Sequence, residues 1–176
     1  TAGNEWDLQV AVHSVDGRLS DVHNVMGVRA LAESGRDEWD KSELPMALGD
    51  ALYLSFDNGA QLLRSDYRPD FDSVAEWSFI VGTTTNYSIK GYLELVGFEQ
   101  LQSRGYMLYL GNNGTFTALQ TSTIEITFSE SERYTLLVSK KDLDVQQYLR
   151  AHTPRVYNYP NPVSSYTTFV IDTDMY

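Results

Sequence analysis

Asp37, Asp40 and Glu43 stand at the spacing Asp-x-x-Asp-x-x-Glu in the loop from Ser34 to Glu43. Carboxylates so spaced between strands can wrap a Ca²⁺ ion, which takes roughly six to eight oxygen ligands without demanding rigid geometry. Asp16, Asp21 and Asn24 offer further oxygens in a neighbouring turn. The pattern does not match an EF-hand loop, which needs denser ligands and a central glycine. In so acidic a chain the competing reading is a plain solvated loop, and both stay open. A second cluster, Asp66, Arg68, Asp70 and Asp72 around Pro69, suits a structural ion pair, or else a calcium or sugar contact.

Other chemistries find little material. There is no cysteine, which removes thiolate metal sites, disulfides and cysteine nucleophiles together. No Gly-x-Ser-x-Gly elbow is present for serine hydrolysis. His13, His23 and His152 are scattered, with no His-x-x-x-His spacing for a metal. Carboxylate pairs that could serve a glycosidase are too many to single one out. The expectation is a protein that is not an enzyme.

The aromatic residues offer more. Trp6, Trp39, Trp77, Tyr53, Tyr92, Tyr106 and Tyr109 could include a platform for stacking sugar rings. In a β-protein their default role is core filling, and Trp77, between Glu76 and Phe79, is expected to be buried. Trp39 differs because it lies in the charged run Asp37-Glu38-Trp39-Asp40. It either folds back over the domain or contacts a ligand. Asn86-Tyr87-Ser88 and Asn113-Gly114-Thr115 match the N-glycosylation pattern, although Asn113-Gly114 is better explained as a hairpin turn.

The elements that must position these residues follow from composition and pattern. The 176 residues can bury a substantial core without metal or disulfide support. A net charge of −11 disfavours nucleic acid and anionic membranes as partners. No apolar run approaches the roughly 18–20 residues needed to insert through a bilayer. Thr1-Ala2-Gly3-Asn4 lacks the basic and apolar regions of a signal peptide, so a secreted protein would be present here in processed form. Apolar and polar residues alternate through Trp6–Val15, Ala51–Phe56, Glu76–Val81, Ser88–Leu95, Tyr106–Leu110, Thr115–Leu119, Ile124–Phe128 and Tyr134–Val138. Val22–Leu31 is a further candidate strand. Asp16-Gly17, Asn58-Gly59 and Asn113-Gly114 mark turns. Asp142–Arg150 is the best helix candidate, with Asp142 as its N-cap. The expected fold is all-β: a two-sheet antiparallel β-sandwich, immunoglobulin-like or jelly-roll-like, with a C-terminal extended strand.

The end of the chain sets a boundary. Two prolines in Val156-Tyr157-Asn158-Tyr159-Pro160-Asn161-Pro162-Val163 separate the preceding domain from the β-prone run Thr167-Thr168-Phe169-Val170-Ile171. The expected organisation is a sandwich at 1–150, then a proline-containing linker and terminal strand at 151–176. Tyr-Pro-Asn-Pro followed by an alternating run resembles the opening of the C-terminal sorting domains of type IX secretion cargo, which are similar to a flagellar-hook-cap immunoglobulin-like repeat. The match covers 156 to about 172, with Val163 where an aromatic is usual. A looser likeness spans about 6–140, through Asp21, Asn24, Gly27-Val28, Ala32, Gly35, Asp37, Asp40, Leu44-Pro45, Leu52–Phe56, Asp66-Tyr67-Arg68 and Trp77-Ser78-Phe79. It looks like a β-domain found before such tails in multidomain bacterial surface proteins. These resemblances imply a secreted, cell-surface, structural or adhesive module.

A lone strand cannot pair its own backbone. Donated to the sheet edge of another copy, it would gain a ladder of hydrogen bonds, and head-to-tail repetition would build a fibre. Tyr159, Tyr166, Phe169 and Ile171 are the expected contacts at that joint. Partners are therefore other copies of the chain or neighbouring domains of a larger surface protein. The alternative is a carbohydrate-binding module of a secreted multidomain enzyme, possible with calcium support, that takes up polysaccharide through Trp39 or a tyrosine face.

Overall fold

The chain forms strands β1 (Trp6–Ser14), β2 (Ser20–Val28), β3 (Lys41–Ser42, within the stretch expected as a loop), β4 (Leu52–Asp57), β5 (Leu62–Arg68) and β6 (Val74–Thr83). They continue as β7 (Ile89–Val96), β8 (Met107–Asn112), β9 (Thr115–Ala118), β10 (Thr123–Phe128) and β11 (Glu132–Ser139). The computed structural model describes residues 4–44, 49–59, 61–152, 155–159 and 168–172. The all-β class expected from the sequence is observed.

The strands lie in one sheet, ordered β10-β7-β1-β2-β5-β4-β6-β11-β8-β9, with β3 on β5. That sheet curls until its two halves face each other. Trp6 on β1 and Trp77 on β6 are four positions apart along this order, yet their ring centroids are 5.6 Å apart. The expected two layers are thus two halves of a single curled sheet. The pairing is mixed, because β2 runs parallel to β5 while the other pairs are antiparallel.

β5 makes the corner. Its first residues, Leu62 and Leu63, pair with β4, whereas Ser65 to Arg68 pair with β2. One strand therefore hydrogen-bonds to each layer in turn. The free amide this leaves on β4 is met by a side chain: Leu54 N donates to Asp21 Oδ2 at 2.9 Å. Satisfying such a buried donor is worth about 1–3 kcal/mol.

The period-2 pattern sends Leu8, Val10 and Val12 of β1, Leu93 and Leu95 of β7, Phe79 of β6 and Leu136 and Val138 of β11 into a common core. Trp77, Phe56, Phe79, Phe98 and Phe128 are its largest fully buried side chains. Trp77 Nε1 donates to Asp66 O at 3.2 Å, so the indole enters the core without stranding its polar atom. One helix has no counterpart among the expected elements: α1 (Phe98–Ser103) follows Gly97 at φ +107° and buries Phe98 and Leu101.

Two compact units divide the chain, Thr1–Asp142 and Leu143–Tyr176. The expected boundary at 150 moves because helix α2 (Val145–His152) belongs with the second unit. Its N-cap is also corrected: Asp144 Oδ1, not Asp142, accepts the amide of Gln147 at 3.0 Å. The second unit also holds β12 (Arg155–Tyr159) and β13 (Thr168–Asp172), paired antiparallel with Val156 opposite Ile171. The terminal strand is therefore not alone. The segment just before Pro160 supplies its ladder.

Candidate functional site

The carboxylates of the acidic loop are engaged by amides and hydroxyls around them. Asp40 is buried, with Oδ1 accepting the amide of Tyr67 at 2.8 Å and Oδ2 that of Asp37 at 3.1 Å. Asp37 accepts the amides of Glu33 at 2.6 Å and Trp39 at 2.7 Å. Glu43 accepts from the amide of Leu44 and the hydroxyl of Ser55. Asp40 thus ties the loop to β5, Asp37 closes the loop on itself, and Glu43 reaches Ser55 of β4. No group of three His, Cys, Asp or Glu among the described residues is placed to hold a metal ion. Burial pushes the Asp40 carboxyl up, against the pull of its two amide bonds.

Trp39 folds back. The guanidinium carbon of Arg29 lies 5.9 Å from the Trp39 ring and 4.5 Å from the Tyr67 ring, between a half-buried indole and a phenol. Arg29 Nη2 also meets Asp7 Oδ1 at 2.6 Å. The Tyr67 hydroxyl is pushed up to about 12, first by burial and then by its hydrogen bond to Asp7. The indole is therefore half-buried beside a cation rather than standing free in solvent. The second cluster also resolves into ion pairs: Arg68 to Asp66 at 3.1 Å, and Lys140 to Asp70 at 2.7 Å. His13 Nε2 lies 3.0 Å from Glu94, and its ring stacks on Tyr92.

Tyr159, Phe169 and Ile171 fall on the β12–β13 ladder, while Tyr166 lies outside the described residues. Backbone pairing places Tyr159 opposite Thr168, Phe169 opposite Asn158 and Ile171 opposite Val156.

An open concave surface lies elsewhere among the described residues. A cleft of about 370 Å³ lies at the end of the sandwich where the β1–β2 turn meets the segment leading into β7. Ser14, Val15, Asp16, Arg18 and Leu19 line it from one side, and Tyr87, Ser88, Ile89 and Lys90 from another, with Asp50 completing it. Tyr87 and Ser88 also line a neighbouring hollow with Thr85, Asn86, Ser129 and Glu130. Val15 and Lys90 line a third with Gly91, Tyr92, Glu125, Ile126 and Thr127. The shared residues make these three hollows adjoining parts of one surface. Two large apolar groups stand out in it: Val15 is 70% exposed and Tyr87 58%.

Both walls are stiff. In the β1–β2 turn, the buried Ser14 donates its hydroxyl to Asp16 Oδ1 at 2.6 Å and accepts the amide of Leu19 at 3.0 Å. That hydroxyl and the amide of Arg18 hold Asp16 below the usual carboxylate range, so it is ionised at neutral pH. Val15 N reaches Lys90 O at 2.9 Å, tying the turn to β7. The Tyr87 loop hangs from a ladder of threonine hydroxyls. Thr83 Oγ1 donates to Ala51 O at 2.9 Å, Thr84 Oγ1 to Gly49 O at 2.8 Å, and Thr85 Oγ1 to Tyr87 O at 2.6 Å. The amide of Ala51 returns a bond to Thr84 Oγ1 at 2.8 Å.

In the sequence Tyr87 is only the middle of the triplet Asn86-Tyr87-Ser88. The available signal was Thr83-Thr84-Thr85 before it: hydroxyls that favour bonding nearby backbone and so brace a loop. Comparison of the chain with protein-family models, with characterised proteins and with solved structures gives no significant match.

Proposed function

We propose that this chain is a non-catalytic secreted or cell-surface module: a β-sandwich that binds or spaces, joined to a small C-terminal unit used for export or assembly. The observation that carries this reading is the division at Asp142. A sandwich with its own core is followed by a separate unit whose two strands flank Tyr159-Pro160-Asn161-Pro162, the stretch that resembles the start of a type IX sorting domain.

The assembly mechanism takes a form different from that expected of an orphan strand. β13 already has β12 as its partner, so the contributing element is a two-stranded sheet. Such a sheet offers an outer edge on each strand and gains stability from a third. Addition of one copy's hairpin to the edge of another would be heterologous and would propagate.

Sedimentation of the intact chain, and of a chain lacking residues 156–176, tests assembly over a range of concentrations. Growth of the intact chain into larger particles, lost on truncation, is the expected result. A monomer in both samples removes the assembly reading.

A further inference from the structure

We infer that the cleft carrying Tyr87 is a binding site for a neutral saccharide, with one pyranose ring laid on the Tyr87 face. This rests on reading the sandwich as a binding module, and not on assembly through the hairpin. Tyr87, 58% exposed, and Val15, 70% exposed, line the same cleft, so a flat aromatic face and an aliphatic group are presented to solvent together in a concave setting. The cleft volume, about 370 Å³, lies in the range of small-molecule sites, roughly 300–1,000 Å³.

Its polar groups fit hydroxyls. Asp16 and Asp50 are carboxylate acceptors and Arg18 and Lys90 are donors in the same lining as Tyr87, with Arg18 Nε 3.5 Å from Asp16 Oδ2. Two negative and two positive groups leave the cleft without a dominant sign. A chain carrying −11 in total repels an anionic polymer, which favours a neutral sugar over an acidic one.

Rigidity completes the argument. Tyr87 is the end of a braced loop: its carbonyl accepts Thr85 Oγ1, and Thr85 N in turn donates to Thr83 Oγ1 at 3.2 Å. The opposite wall is fixed by Ser14 and Asp16. A preformed pair of walls spends less of its binding energy on ordering itself. Nothing in an exposed core-filling residue calls for this bracing.

Affinity electrophoresis of the full chain through gels containing neutral polysaccharides (β-glucan, mannan, xylan, starch or hydroxyethylcellulose) tests the site. A gel with an acidic polymer, polygalacturonate, serves as the contrast. Retardation in at least one neutral gel is expected, weakened about tenfold in apparent affinity by Tyr87→Ala and retained by Tyr87→Trp. Tyr87 is exposed, so both variants should melt as the parent does, and unchanged melting separates lost binding from lost folding. Retardation that Tyr87→Ala leaves untouched overturns the cleft while keeping the module as a sugar binder. Retardation only in polygalacturonate, or in none of the gels, overturns the inference, and sedimentation then judges the assembly reading by itself.

Discussion

The carboxylate of Asp40 accepts the backbone amide of Tyr67 at 2.8 Å, so the most conspicuous acidic residue of the chain is a structural clasp between a loop and β5. Its second oxygen closes the same loop on Asp37 at 3.1 Å. A carboxylate with both oxygens taken by amides has little left to offer an ion.

Replacing Asp40 by Ala is expected to cost about 1–3 kcal/mol in urea unfolding, because two amides lose their acceptor. Adding millimolar Ca²⁺ should leave the midpoint of the parent unchanged. The pH dependence has a definite sign. Burial raises the Asp40 pKa above 3.8, so the folded state binds this proton more readily than the unfolded one. The parent should therefore gain on Asp40→Ala as pH falls from neutral through the raised pKa, with the gain complete below 3.8. A gap that narrows over that window would show the carboxylate to be stabilised as an anion.

Asp57 has the opposite behaviour. Its pKa is lowered, first by the amide of Gly59 and then by Arg133, whose Nη2 lies 2.6 Å away. The stability it adds is present above 3.8 and is lost as pH falls through the lowered value. Arg133 is 56% exposed, so water screens the pair. Asp57→Asn is expected to cost about 0.5–1 kcal/mol at neutral pH, with a gap that closes in acid and shrinks in high salt. Thermal melts of both proteins across that range measure it.

Gly27 faces a backbone wall. A Cβ there would collide with the carbonyl oxygen of Trp6 and sit 3.0 Å from the Tyr67 ring. Because Gly27 pairs with Asp7 on one side and with Tyr67 on the other, the β1–β2–β5 corner cannot move aside locally. Gly27→Ala should destabilise by about 1–3 kcal/mol in chemical denaturation. An unchanged midpoint would mean that the corner is looser than its packing implies.

Local rules were legible in the sequence, and distant ones were not. Asn113 and Gly114 adopt φ of +50° and +76°, the two left-handed positions that a tight hairpin between β8 and β9 requires and that Asn-Gly announces. Trp77 sits in the core as alternation implies. The parallel β2–β5 pairing left no local mark, because it joins residues about forty positions apart by way of a corner that only tertiary packing defines. For Trp39 the charged neighbours leave two outcomes open, folding back or contacting a ligand. The covering cation, Arg29, comes from another strand end, and no spacing rule links them. Tyr87 leaves no sequence signal for the converse reason: one exposed aromatic has no period, and only the fold brings Val15, Asp16 and Asp50 into the same cleft.

The division at Asp142 predicts that the sandwich is self-sufficient. Every member of the buried apolar core falls between Trp6 and Val138 among the described residues, so no core side chain is lost on ending the chain there. Tyr109 keeps its hydroxyl bond to Asp142 Oδ1 at 3.1 Å in such a chain, which closes the last turn after β11. Residues 1–142 alone should therefore melt in one cooperative transition, within a few degrees of the intact protein. The remaining segment, with one short helix and a two-stranded sheet, is too small to contribute a comparable transition. Calorimetry on both chains decides the matter. Loss of the cooperative transition on truncation would make the C-terminal unit part of the sandwich's own stability, leaving it less free to serve a neighbouring copy.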